Sequence, residues 1–96
     1  MHDYLSKHIH EEIEGAIDYL SKALELKGTY PEIASKFYKM SEMEVEHANC
    51  MTKMFNSMAK PENISETDYS NMQQSIINDY AQNMNKIEHM KKLFWE

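Results

Sequence analysis

A single cysteine, Cys50, in 96 residues excludes an intrachain disulfide. A lone thiol suits a reducing setting, so a cytoplasmic location is expected. Two glycines and two prolines leave little punctuation for a β fold. No apolar run approaches the ~20 residues of a membrane span, and Met1-His2-Asp3-Tyr4 does not read as a signal peptide. Basic residues are outnumbered, ten against sixteen acidic ones. The resulting formal net charge of −6 argues against nucleic acid and is compatible with attracting cations. Apolar content is also thin, with a mean hydropathy of −0.72. A chain this short buries a modest fraction of its surface. With disulfides excluded, metal or oligomerisation is left to stabilise it.

What is present is helical periodicity. Leu5, Ile9, Ile13, Ala16, Leu20 and Ala23 recur at three- and four-residue steps, which predicts an amphipathic helix over about 3–27. Gly28 reads as its stop, and Thr29-Tyr30-Pro31-Glu32 as a capping box. A second helix over about 31–60 carries Ile33, Phe37, Met40, Ala48, Met51, Phe55 and Met58, and Pro61 ends it. After a polar connector, a third over about 68–94 carries Tyr69, Met72, Ile76, Tyr80, Met84, Ile87 and Phe94. The chain reads as one all-α domain over residues 1–96, an antiparallel two-helix hairpin with a third, C-terminal helix. The methionine-rich stripe reads as adaptable core, and Cys50 as structural.

Two carboxylates and one imidazole fall inside these apolar stripes. On a wheel at about 100° per residue, Phe37 and Phe55 lie about 20° to one side of Glu44, with Ile33 and Met51 about 20° to the other. His47 lies about 60° away, still within the stripe. Glu44 and His47 form a Glu-x-x-His pair on one face, whereas Glu42 and Glu46 point to solvent. In the first helix, Glu12 lies within about 40° of Leu5, Ala16, Tyr19 and Ala23. Glu11 and Glu14 point outward. An unpaired carboxylate in an apolar stripe is costly, so Glu12 and Glu44 call for partners.

Depth brings the three residues together. Glu12 precedes Gly28 by sixteen residues and Glu44 follows it by sixteen. In an antiparallel hairpin, both then stand about 24 Å from the turn at 1.5 Å per residue. A di-iron carboxylate centre in a four-helix bundle uses a Glu from each of two helices and a Glu-x-x-His from each of the other two. This chain holds half of that set. Asp79, Glu88 and His89 lie off the third stripe and cannot supply the rest. A two-fold homodimer of hairpins completes both the bundle and the ligand set. Its four carboxylates would balance a pair of ferrous ions, which suit carboxylate and imidazole donors. A hydrogen-bonded polar core is the competing reading of the same residues. Tyr19 reads either as a hydrogen-bond partner of the ligands or as core packing. His8 reads as an auxiliary ligand or, more simply, as a solvated histidine.

Glu11-Glu12-Ile13-Glu14 with Tyr19 beyond it, followed by Glu44-Val45-Glu46-His47-Ala48, resembles the encapsulated ferritin family of half-ferritins. The likeness covers about Ser6 to Met58. It implies a hairpin that dimerises into a ferritin-like four-helix bundle, with an iron-oxidising ferroxidase centre between the subunits. By position, Glu12, Glu44 and His47 would hold the two irons of a dimer, with Tyr19 beside them. Glu11 and Glu14 would form secondary sites on the outer face, for calcium or another divalent ion or on the iron approach path. The resemblance further implies a ring of dimers, a decamer in that family, and an encapsulin nanocompartment as partner. Cargo of such shells carries a Gly/Leu/Ile/Ser-rich tail, whereas this chain closes on Lys91-Lys92-Leu93-Phe94-Trp95-Glu96. The expected function is Fe²⁺ oxidation by O₂ or peroxide in iron storage and detoxification. The alternative is a non-enzymatic helical oligomer in which metal only staples the dimer.

Overall fold

A computed structural model describes all of residues 1–96 and shows three helices: α1 (His2–Leu26), α2 (Pro31–Ser57) and α3 (Glu66–Trp95). The chain is all-α. Pro31 occupies the first turn of α2, where its fixed φ is already helical and its missing N–H costs nothing. The helix is capped by Tyr30 without a side-chain hydrogen bond, so the Thr29/Glu32 capping box does not form. Gly28 likewise departs from its expected role, since no glycine has positive φ. The turn is closed instead by the amides of Thr29 and Tyr30, which donate to Leu26 O at 3.1 and 2.7 Å. α3 begins two residues before its expected start because Ser65 Oγ accepts the Asp68 amide at 3.1 Å, an N-cap that satisfies an otherwise orphaned donor. α2 ends earlier than expected, with Met58 already extended.

α1 is the shared element. Its apolar face packs on α2 and its flank on α3, and no Cα of α3 comes within 8 Å of one in α2. One core joins Leu5, Ile9 and Ile13 to Ala48, Phe55 and Ile76; the other joins Ala16, Leu20 and Ala23 to Tyr38, Ile87 and Met90. Ala16, Ala23, Ala34 and Ala48 are fully buried, and such small side chains let helix axes approach closely. Polar ties hold α3 along α1: Tyr69 to His2, Asp79 to His10, and the carbonyls of Leu93 and Phe94 to Lys27 Nζ. The third helix therefore packs on its own hairpin, parallel to α1. Its side chains reach α2 at both ends, where Phe94 stacks on Tyr38 at 4.7 Å and Tyr69 on Phe55 at 6.0 Å between centroids.

The buried face of α2 follows the predicted stripe at Ala48 and Phe55, with Phe37, Met51 and Met58 packed against the cores, but departs from it towards the turn. Ala34, Tyr38 and Ser41 are buried, whereas Ile33 and Met40 are 48% and 39% exposed. Aromatic contacts from α3 draw Tyr38 inward and turn the far edge of the stripe outward. Met54 and Cys50 are also exposed, so they are neither core nor structural packing. Fifteen of 96 residues are buried, the thin core expected at this length. The apolar residues left on the open side of α2 mark where more surface is available for burial.

Candidate metal centre

Glu12 projects from α1, and Glu44 and His47 from α2. One ligand atom from each lies within 4.8 Å of the other two, so a single ion or an ion pair can be reached by all three. The equal spacing about the turn accounts for the level match, and the three-residue step of the Glu-x-x-His pair for the shared face. His47 Nδ1 stands 3.5 Å from Glu12 Oε2, at the far limit of hydrogen-bond distance. Glu12 Oε2 is buried and has no hydrogen-bond partner. Buried carboxylate oxygens without partners are rare in native proteins and point to a missing ion or water.

Burial is graded across the group. The Glu12 side chain is 19% exposed and that of His47 is 54% exposed. The reason is the position of α3. On a wheel at about 100° per residue, three residues that meet α3 lie about 120–160° from the ligand on their own helix, His10 from Glu12 and Tyr38 and Glu42 from Glu44, while Phe55, which meets Tyr69 at the far end, lies on the ligand side. Tyr19, Ile33 and Met40 lie within about 40° of those ligands on the other side. The three ligands thus sit along the edge of the hairpin that α3 leaves open. Two carboxylates and an imidazole are the donor types of a non-haem iron site. The orphaned Glu12 oxygen fits such an ion, and the number of donors fits half of a di-iron centre.

The other residues expected at the site stay apart from this group. Tyr19 is half-buried, its ring tilted against Phe37 at 6.1 Å, and its hydroxyl makes no hydrogen bond to the three ligands. Glu11 is exposed and pairs with His8 Nδ1 at 3.3 Å, and His8 in turn lies against the Tyr4 ring. Glu14 is exposed on the outer face. Asp79 is taken up by His10 and Asn83. Sequence reasoning passed over Gly15, whose position faces the Glu44 carboxylate. The available signal was a glycine inside a long helix, a poor helix former three residues after a candidate ligand.

A family model described as Rubrerythrin matches residues 3–94. The chain belongs to the rubrerythrin family. Within the ferritin-like proteins, this is a family of di-iron carboxylate domains, so membership implies iron binding, and the Glu12/Glu44/His47 group is a candidate site for it. The match spans all three helices, including α3. No curated protein and no solved structure matches the chain. No helix is long and apolar enough to cross a membrane.

Proposed function

We propose that two copies of this chain pair over the open edge and act as a ferroxidase of the encapsulated-ferritin type, oxidising Fe²⁺ at a di-iron centre they share. The observation that carries this reading is the convergence of Glu12, Glu44 and His47 on the uncovered face, with Glu12 Oε2 buried and unpartnered. Exposed Met40, one turn before Glu44, and Ile33, farther along the same face towards the turn, supply apolar surface for a second copy to cover.

Glu12 and Glu44 bind ferrous substrate through their oxygens and neutralise its charge, and His47 adds a neutral nitrogen donor. Covering the edge excludes bulk water and strengthens those charge interactions. Each Fe²⁺ gives up one electron. Dioxygen takes up two electrons and two protons to leave as peroxide, or four of each to leave as water. Peroxide as oxidant takes two of each. Tyr19 lies on the same edge, its ring against Phe37, and would neighbour the centre only in the completed pair. Glu11 and Glu14 on the outer face collect cations on the approach path, calcium or another divalent ion among them. The pairs would join into a larger ring, a decamer in that family. Such an open ring has little room for mineral, so the ferric product passes to a compartment, an encapsulin shell in this reading.

Loading the protein with Fe²⁺ under anaerobic conditions and then admitting air tests the proposal. Oxygen consumption with rising ferric absorbance is expected, and Glu44→Ala should abolish both. Iron binding without turnover would instead favour a metal that staples the dimer.

A further inference from the structure

We propose that Gly15 is a positioning residue, and that the space left by its missing side chain seats the Glu44 carboxylate beside Glu12. The consequence for metal binding rests on the iron reading of the site; the contact itself does not. Glycine is the second-poorest helix former, yet Gly15 lies well inside the 25 residues of α1. Its φ is not positive, so backbone freedom does not explain it. Nor does close approach of two backbones. A Cβ built at position 15 meets Glu44 Oε2 at 3.3 Å, Glu44 Cδ at 3.7 Å and Glu44 Cγ at 3.8 Å, so its three nearest neighbours all belong to one side chain. Gly28, in the turn, has nothing within 4 Å.

The carboxylate therefore lies over α1 in a place that a side chain at position 15 would crowd. Gly15 stands one turn beyond Glu12, on nearly the same face, so this seat holds the two carboxylates near each other. A methyl group at position 15 is tighter than most real contacts and shifts Glu44 Oε2 away from α1 by a few tenths of an ångström. A branched side chain displaces it further. Loss of a group that orients a metal ligand typically costs 10–100-fold in affinity. Helix propensity alone runs the other way, because alanine stabilises α1.

Two measurements test this. In chelator-treated protein, thermal midpoints of native, Gly15→Ala, Glu44→Ala and the double variant form a cycle. Gly15→Ala should raise the midpoint more in the Glu44→Ala background, where the added methyl meets open space. Equal gains in both backgrounds would overturn the contact. Anaerobic Fe²⁺ titration then compares the native protein with Gly15→Ala and Gly15→Val. Affinity should fall about tenfold for alanine and further for valine. Unchanged affinity in both variants would overturn the positioning role even if the cycle shows coupling. A native chain that binds no Fe²⁺ would overturn the iron reading and the metal-binding role of Gly15 together. In that case the cycle alone still decides whether Gly15 seats Glu44.

Discussion

Glu12 Oε2 and His47 Nδ1 stand 3.5 Å apart across the α1–α2 hairpin, and the oxygen is buried without a hydrogen bond. Without an ion or water to meet it, such a buried polar atom costs about 1–3 kcal/mol. A fold that keeps it gives up stability for something other than folding. Natural proteins tolerate such losses chiefly at functional sites.

Glu12→Gln removes that charge while keeping the shape of the side chain. The expected result is a chelated protein at least as stable as the native one, by up to about 1 kcal/mol, with iron binding lost. For a domain of this size, 1 kcal/mol corresponds to about 4–8 °C in Tm. Thermal denaturation in chelator together with anaerobic Fe²⁺ titration checks both halves. A variant clearly less stable than the native chain would show that the carboxylate has a structural partner.

The open edge makes a second prediction. Ile33 and Met40 are exposed in the single chain, so Ile33→Glu and Met40→Asp should change its intrinsic stability by no more than about 0.5 kcal/mol. In the pair they would bury a charge, which is expensive. Sedimentation velocity should therefore show these variants as monomers, with Fe²⁺ oxidation falling in step. Native-like assembly of both variants would place the interface elsewhere.

The His10–Asp79 contact serves as a control away from the site. At 2.6 Å, with the two side chains 34% and 32% exposed, it ties α3 to α1. Solvent screening limits its coupling to about 0.5–1 kcal/mol. A double-mutant cycle of His10→Ala and Asp79→Ala on thermal stability should return a value in that range, while iron affinity stays unchanged. A large fall in affinity would mean that α3 holds the metal edge in shape.

How much of this was legible beforehand depends on what periodicity encodes. The three helices and the level match of Glu12 with Glu44 follow from steps of 3.6 residues and equal spacing about a short turn. The tilt of α2 does not. Its apolar stripe is wide enough for either edge to be covered, and the choice lies in Tyr38 meeting Phe94 and Trp95 from a helix more than fifty residues on. Periodicity centred the stripe on Glu44 and so placed Ile33 and Met40 inside, where the structure leaves them out. The turn was misread for a related reason. Gly28 and Thr29 carry the residue types of two capping motifs, but Pro31 already sets the start of α2 and makes both unnecessary. Gly15 escaped notice because a glycine within a helix reads as a liability until its opposite neighbour is known.

A shared site leaves a thermodynamic signature that a site within one chain does not. Ligand that binds only the folded form stabilises it by RT ln(1 + [L]/Kd), about 2.7 kcal/mol at a hundredfold excess over Kd. For a single chain, the Tm gained at fixed free Fe²⁺ is independent of protein concentration. If two chains must meet to complete the ligand set, metal drives assembly and the gain rises with protein concentration as well. Anaerobic melts across a hundredfold range of protein, with free Fe²⁺ buffered, should show a Tm that climbs with protein when iron is present. Native protein and Ile33→Glu should differ most at high protein, where pairing is otherwise favoured. A Tm that responds to iron but stays flat across protein concentration would confine the site to one chain. Glu12, Glu44 and His47 would then bind iron without a second copy.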